Sequence, residues 1–188
     1  AWAAQLQVLD VIETICRKHD ITYFADWGTI LGTVRHGGYV PWDDDMDICM
    51  KREDYTRFKE ASKTELPKDF RIHDYEHQED HWLFLSRVAN SVHINFEPEH
   101  MKQFHNFPYI AVIDIFVLDY LYKDEQQEKQ RCEEVKHIIA VADSIIAGEI
   151  AQPVKEANLI QLEEKYHKTF NRKLDNRHIG IELYRLAE

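Results

Sequence analysis

The sequence has few cysteines, few basic residues and no long apolar run, and each shortage excludes a class of protein. Three cysteines are present among 188 residues, and no two have Cys-x-x-Cys spacing. Neither a disulfide framework nor a cysteine zinc site is therefore indicated, and a reducing compartment is expected. The longest apolar runs, such as residues 109–118, are too short to cross a bilayer.

Basic residues are outnumbered by acidic ones, 23 against 34, which gives a formal net charge of −11. This balance opposes the binding of polyanions, so no nucleic acid polymer is expected as a partner. Hydrophobic residues make up 44% of the chain, enough for one sizeable core. We therefore predict a single domain over residues 1–188, with a core at 1–124 and a helical part at 125–188. Because the chain starts without Met and ends in a helical pattern, we also expect it to be cut from a longer protein.

Hydrophobic periodicity predicts an α+β fold with a mixed β-sheet and helices packed around it. Apolar residues recur at helical spacing up to about His19 and in the region after residue 125, where the helical part begins. Residues 21–25 suggest a strand that leads through a glycine-containing turn into a short helix, and a further helix is predicted over 53–63. Further strands are predicted over 45–50, 82–88, 92–96 and 110–117, with a hairpin turn at Asn90-Ser91.

The strand predicted at 45–50 follows a run of acids. In an extended chain alternate residues share a face, so Asp43, Asp45 and Asp47 would point one way, with neighbouring Cα atoms about 7 Å apart. Clustered carboxylates suit Mg²⁺ or Mn²⁺ and therefore phosphoryl chemistry. The alternative is an acidic or calcium-binding loop, but no twelve-residue Asx-rich loop ending in glutamate surrounds these acids.

Asp114 lies inside the apolar strand predicted over 110–117. A carboxylate in such a position needs a partner, because burying it alone is costly. Two interpretations stay open: a salt bridge to a residue such as Arg87, or a third carboxylate of the same metal site if the two strands are neighbours.

A glycine-containing segment precedes the acids. Gly28, Thr29 and Gly32 could bring backbone N–H groups and a hydroxyl close to a phosphate, although many strand-to-helix turns use such residues. Arg35 and His36 follow; an arginine suits bidentate phosphate binding and a histidine can donate or relay a proton. The alternative is a surface pair without a role. A separate series, His73, His77 and His81, is interpreted as part of a solvated polar segment.

Taken together, the segment from Tyr23-Phe24 through Gly28-Thr29-Ile30-Leu31-Gly32 and Arg35-His36-Gly37-Gly38 to Pro41-Trp42-Asp43-Asp44-Asp45-Met46-Asp47-Ile48 resembles the signature of the LicD family. That family resembles a branch of the nucleotidyltransferase superfamily. Bacterial members transfer phosphocholine from CDP-choline to surface glycans or teichoic acids, and fukutin-type relatives transfer ribitol phosphate.

The resemblance implies roles for individual residues. Asp45 and Asp47 would hold Mg²⁺ or Mn²⁺, with Asp114 as the third acid of the metal site; these acids, together with Arg35 as a phosphate-binding residue, are the predicted catalytic residues. Substrate would be bound by a larger set: Gly28, Thr29, Gly32, His36, Trp42, Asp43 and Asp44. A choline headgroup could also meet an aromatic box of Trp27, Tyr39 and Trp42.

The resemblance further implies the reaction and its partners. The donor would be CDP-choline or another CDP-alcohol, the acceptor a glycan or lipid-linked glycan, and CMP the product that leaves. Two alternatives remain: transfer of NMP to a protein or small molecule, and nucleotide binding without catalysis. The expected location is the cytoplasm, at the inner face of the membrane if the acceptor is lipid-linked.

Overall fold

The computed structural model describes residues 1–188 and divides into two compact units. Unit 1 comprises Ala1–His77 and Leu85–Asp119, and unit 2 comprises Gln78–Phe84 and Tyr120–Glu188. The division into a core at 1–124 and a helical part at 125–188 stays a prediction, because compactness alone does not show what folds independently.

Unit 1 contains a five-stranded mixed sheet in the order β1-β2-β5-β4-β3. Strands β2 and β5 pair in parallel, and the three other pairs are antiparallel. The predicted α+β class with a mixed sheet is therefore confirmed. The strands are β1 (Tyr23–Ala25), β2 (Asp47–Lys51), β3 (Arg71–His73), β4 (Ser86–Ala89) and β5 (Val112–Leu118).

Seven helices accompany the sheet, four in unit 1 and three in unit 2. Those of unit 1 are α1 (Trp2–Lys18), α2 (Trp27–His36), α3 (Arg52–Glu65) and α4 (Pro98–Gln103). Those of unit 2 are α5 (Glu125–Ala147), α6 (Gln152–Tyr166) and α7 (Asn176–Ala187). None of the seven is both long enough and apolar enough to cross a membrane.

Helices α1 and α3 contribute to the main core of unit 1. Val8 and Ile12 of α1 and Phe58 of α3 are fully buried and join the cluster formed by sheet residues such as Ile113 and Ile115. Burying one such side chain stabilises the fold by about 1.5–3 kcal/mol. Since alternate strand residues face opposite sides, the other face of β2 and β5 is left to residues such as Asp47 and Asp114.

In unit 2, α5 and α7 pack closely because one helix carries a glycine at the contact. Gly180 of α7 is buried, and a Cβ there would overlap the side chain of Ile146 in α5. Helix α5 ends at Ala147 and is capped by Gly148, which adopts the left-handed conformation (φ 70°) and donates its N–H to Ile145 O.

The strand prediction was wrong after residue 90. Residues 92–96 form no strand, and Asn90-Ser91 is not a hairpin turn, because β4 pairs with β3 and with β5. The Asn90 side chain explains the departure: its Nδ2 donates to Tyr109 O (3.0 Å), and its Oδ1 accepts from Ala111 N (2.9 Å). The two ends of the intervening loop are thereby tied together, and β5 enters the sheet directly.

Gly32 provides a test of packing around α2. A Cβ at Gly32 would overlap the Gly38 carbonyl oxygen and lie 2.8 Å from Val40 N, which are backbone atoms that cannot rotate away. We expect Gly32→Ala to lower the free energy of unfolding by about 2–3 kcal/mol, measured by urea denaturation. Gly38→Ala is the matched control: its Cβ would meet nothing within 4 Å, and we expect a change below about 0.5 kcal/mol. Equal effects of the two changes would contradict this account.

Candidate active site

A row of charged side chains crosses the middle of the sheet. In the parallel pairing of β2 with β5, Asp47 is the register partner of Asp114, and in the antiparallel pairing of β4 with β5, Arg87 is the partner of the same Asp114. The guanidinium of Arg87 binds both carboxylate oxygens of Asp114, Nε to Oδ1 and Nη2 to Oδ2, each at 2.9 Å. The ion pair with Arg87 is therefore confirmed, and β5 is the neighbour of the acidic strand, whereas a role of Asp114 as a metal ligand stays a prediction.

The backbone of Asp47 is held from two sides by the turn between β1 and α2. Its N–H donates to the hydroxyl of Thr29 (2.8 Å), and its carbonyl oxygen accepts from the N–H of Asp26 (3.0 Å). Asp26 also caps α2, where its Oδ1 accepts from Trp27 N at 2.9 Å. Asp26 is not among the predicted site residues, although an aspartate just before a helix is a usual capping signal.

The acids before Asp47 are not part of the strand. The predicted start of the strand at about Asp45 is wrong, because β2 begins at Asp47. The cause lies in α1, where Trp2 Nε1 donates to Asp43 O (2.9 Å) and Gln5 Nε2 donates to Asp44 O (2.6 Å). Because these carbonyl groups bind side chains of α1, they do not take part in a β ladder. Nothing in the local sequence around the acids would have indicated these two partners.

The loop brings three carboxylates together. Asp43, Asp44 and Asp45 each place an oxygen within 4.8 Å of the others. Burial raises the pKa of Asp45, and a hydrogen bond with Asp43 and the negative charges of Asp43 and Asp44 raise it further. Mutual repulsion of this kind is relieved when a cation binds.

Asp47 shows the same electrostatic signature. Burial raises its pKa from 3.8 to about 6, with further contributions from the charges of Asp45 and Asp114. The surroundings therefore disfavour negative charge on Asp45 and Asp47 in the absence of a counter-ion. Oxygen ligands with these properties fit Mg²⁺ or Mn²⁺, and we infer that Asp45 and Asp47 would hold the ion with help from Asp43.

Gly28 allows Asp43 to approach α2. A Cβ at this position would overlap Asp43 Oδ2, so the carboxylate occupies the space that a side chain would need. The carboxylate consequently lies against the first turn of α2, where the helix dipole favours negative charge.

The other predicted substrate-binding residues occupy different positions. Gly32 is buried against the backbone of residues 38–40, where packing alone accounts for a glycine. Arg35 and His36 lie exposed at the far end of α2, with Arg35 Nε donating to His36 Nε2 at 2.9 Å. Trp42, 78% exposed, lies near both, 5.9 Å from the Arg35 guanidinium carbon and 6.1 Å from the His36 ring. These three side chains form a cluster beside the acidic loop.

A cavity of about 280 Å³ opens next to the acids and has no cationic side chain in its lining. The hydroxyl of Tyr39 is buried there without a hydrogen-bond partner, and the Tyr39 ring stacks on Trp2 at 4.9 Å. An unpaired buried hydroxyl is costly unless a ligand or water satisfies it. The lining residues are Leu6, Leu9, Tyr23, Ala25, Gly28, Thr29, Thr33, Gly38, Tyr39, Val40, Asp43, Asp45, Met46 and Ile48.

The histidine series does not lie on one helix. His73 ends β3, whereas His77 and His81 lie in irregular structure. His77 instead pairs locally, with its Nδ1 2.7 Å from Asp74 Oδ1, which also accepts from the backbone N–H of His77.

Comparison with known proteins identifies the family. Residues 20–141 match the family described as "LicD/FKTN/FKRP, nucleotidyltransferase domain". The chain belongs to this family. The match covers β1, α2, the acidic loop and every other strand, and it extends into α5, so it includes all the carboxylates described above.

Curated relatives match over shorter stretches. A protein of Haemophilus influenzae named lipopolysaccharide cholinephosphotransferase LicD is 43% identical over 53 residues, which is 28% of this chain and 20% of that protein. Uncharacterized proteins of Rickettsia typhi and Rickettsia prowazekii are 39% and 42% identical over 54 and 48 residues, 29% and 26% of this chain and 18% of each relative. The matched stretch thus spans about a fifth of the length of these relatives.

The raised pKa of Asp47 predicts a dependence of stability on pH. Between pH 3.8 and about 6 the folded protein keeps a proton that the unfolded chain has released, so the free energy of unfolding falls as pH rises. At pH 7 without divalent cation, Asp47→Asn should raise the free energy of unfolding by about 1–2 kcal/mol, after allowance for solvent screening. The gain should vanish below pH 3.8, where both forms are neutral.

Addition of Mg²⁺ should reverse the order of stability. Binding to the folded state raises the melting temperature of the parent protein by mass action, and Asp47→Asn should lose most of that rise. Asp69→Asn, at an exposed aspartate of the same unit, is the control and should respond to Mg²⁺ like the parent. If Mg²⁺ stabilised the Asp47 variant as much as the parent, Asp47 would not be a ligand.

The Arg87–Asp114 ion pair offers a second test. Arg87→Leu leaves Asp114 beside Asp47 without its cation, and we expect a loss of about 1–3 kcal/mol in the free energy of unfolding. Arg52→Leu breaks a similar two-point pair with Asp119 (2.8 and 2.6 Å) in a more exposed place, and should cost about 0–1 kcal/mol. Adding Asp114→Asn to Arg87→Leu should recover part of the loss, and a failure to recover any would argue against electrostatic repulsion as the cause.

Proposed function

We propose that this chain carries the catalytic site of a metal-dependent transferase that moves phosphocholine, or a related phospho-alcohol, from a CDP-alcohol to a glycan hydroxyl. The observation that carries the proposal is the convergence of Asp43, Asp44 and Asp45 beside a cavity, with the charges of Asp43 and Asp45 acting on Asp47, within a domain of the LicD family. Choline as the alcohol and a glycan as the acceptor are supported by the name of the Haemophilus influenzae relative.

Charge at the site supports a requirement for a cation. A CDP-alcohol has an anionic diphosphate, and the cavity beside the acids has no cationic side chain in its lining. The acidic loop would therefore repel the donor unless positive charge were present. A bound Mg²⁺ or Mn²⁺ would neutralise the diphosphate and stabilise the charge on the leaving group.

The reaction would be an in-line displacement at phosphorus. The acceptor hydroxyl oxygen forms a bond to the phosphorus that carries the alcohol, the bridging bond from that phosphorus to the CMP oxygen breaks, and CMP leaves. The hydroxyl proton passes to a carboxylate or to water.

Residues of the chain divide this work. Asp45 and Asp47 would hold the cation, while Arg35, exposed and not paired with an acid, would bind a phosphate oxygen beside Trp42. Both oxygens of Asp114 accept from Arg87, which supports an orienting role for Asp114 rather than that of the proton acceptor. The hydroxyl of Thr29 accepts from Asp47 N–H and retains its own proton for donation to a phosphate.

Release of CMP from CDP-choline is the direct test. The protein is incubated with Mg²⁺, CDP-choline and either lipopolysaccharide or teichoic acid, and CMP is quantified by chromatography. CDP-ribitol, CDP-glycerol and CDP-ethanolamine are run in parallel to identify the alcohol. We expect acceptor-dependent CMP release that Asp47→Asn lowers at least about a hundredfold and that Asp69→Asn leaves unchanged.

Mass spectrometry of the acceptor distinguishes the alternatives. A mass increase equal to the phospho-alcohol supports the proposal, whereas an increase equal to CMP would show a nucleotidyltransferase that uses the same carboxylates. Binding of CDP-alcohols with no turnover of any of them would indicate a nucleotide-binding module. An Asp47→Asn variant as fast as the parent would refute the metal assignment.

A further inference from the structure

Unit 2 contains a pocket that the proposed chemistry does not use. The pocket has a volume of about 500 Å³, within the range of small-molecule sites, and lies among α5, α7 and the segment 78–84. We call it the α5–α7 pocket and define it by Trp82, Asp143, Ile146, Arg177, Ile181 and Tyr184.

One side of the α5–α7 pocket is aromatic. Trp82 is 51% exposed, which leaves much of its indole surface free for contact with a ligand. Its ring lies 6.3 Å from that of Tyr184, and Phe84 packs edge-on against the same tyrosine at 5.7 Å. Tyr184 is only 6% exposed, so its buried ring supports the exposed ring of Trp82.

The polar groups of the pocket are one carboxylate and one guanidinium. Tyr184 donates its hydroxyl to Asp143 Oδ1, which leaves Oδ2 as a free acceptor. Burial, with the hydrogen bond to Asp143, raises the pKa of Tyr184 to about 12, so this donor persists at neutral pH. The guanidinium of Arg177 is exposed and makes no side-chain hydrogen bond or ion pair, so its donors are free.

This combination excludes several ligand classes. A simple cation would be repelled by Arg177, and a simple anion by Asp143 and by the net charge of −11. A wholly apolar ligand would cover the aromatic side but would form no hydrogen bond with Asp143 or Arg177. A neutral ligand with one apolar face and several hydroxyl groups uses all three features.

We propose that the α5–α7 pocket binds the ring of a neutral saccharide. One face of a pyranose carries C–H bonds and would lie on the indole of Trp82. Hydroxyl groups at the ring edge would donate to Asp143 Oδ2 and accept from Arg177, both charge-assisted hydrogen bonds. Tyr184 is then a positioning residue, because it orients the carboxylate of Asp143 without reaching the sugar.

The proposal does not depend on the chemistry assigned to the acidic loop. Saccharide binding here requires neither nucleotide nor divalent cation, so both are left out of the test. A protein that failed to release CMP could still bind the sugar, and the reverse also holds.

The experiment is an NMR titration of the full chain labelled with ¹⁵N. Methyl glycosides of glucose, galactose and N-acetylglucosamine are added separately, and the four tryptophan indole N–H signals are followed. The signal lost in Trp82→Phe identifies Trp82. We expect at least one glycoside to shift the Trp82 signal, with the signals of the three other tryptophans unchanged.

Variants test each contact. Trp82→Ala, Asp143→Asn and Arg177→Gln should each weaken binding by about tenfold or more, and Tyr184→Phe by a smaller factor. Tyr120→Ala removes an aromatic side chain of the same unit that is 72% exposed and outside the pocket, and should bind like the parent. Unchanged amide spectra elsewhere show that each variant is folded.

Three results would overturn the proposal. The first is that no glycoside shifts the Trp82 signal. The second is that binding persists unchanged in Asp143→Asn and Arg177→Gln, which would show non-specific contact with the indole. The third is that phosphocholine shifts the Trp82 signal and the glycosides do not, which would assign the pocket to a zwitterion.

Discussion

The parallel pairing of β2 with β5 in a register that sets Asp47 beside Asp114 is the constraint on which the site depends. Two carboxylates on neighbouring strands, facing away from the apolar core, repel each other and are stable only with positive charge nearby. The protein supplies part of that charge through Arg87, which lies directly opposite Asp114 on the neighbouring strand β4. Arg87 does not neutralise the negative charge of Asp47 and of the acidic loop before it. A cation is needed there.

Around that pair, different residues support the backbone and provide the carboxylate oxygens. The core face of the sheet is covered by apolar residues of α1 and α3, while the β1–α2 turn holds the backbone of Asp47 through Thr29 and Asp26. The carboxylate is thereby positioned by backbone hydrogen bonds that do not occupy its own oxygens. Those oxygens remain available to a metal ion, and their raised pKa shows that the protein alone does not satisfy them.

Sequence reasoning predicted the elements whose causes are local. The β1–turn–α2 unit and the mixed sheet followed from alternation and glycine placement, while one acid in an apolar run left a salt bridge and a metal site as two open interpretations of Asp114. The predictions were wrong where residues distant in the sequence determine the local structure. The start of β2 depends on Trp2 and Gln5, and the absence of a strand at 92–96 follows from the Asn90 side chain that ties 109–111 back to β4. Strand β3, with three residues, is too short to show a period.

The two hydrogen bonds from α1 to the acidic loop also bear on how the domain can be cut or fused. Trp2 and Gln5 lie 41 and 39 positions from the carbonyl groups they bind, and Gln5 is only 5% exposed. A shortened protein that starts after residue 5 would keep every aspartate of the motif, yet it would lose the two hydrogen bonds that keep the carbonyl groups of Asp43 and Asp44 out of a β ladder. Domain boundaries drawn around the motif alone, or a bulky fusion at the first turn of α1, would therefore disturb the acids while leaving their sequence intact.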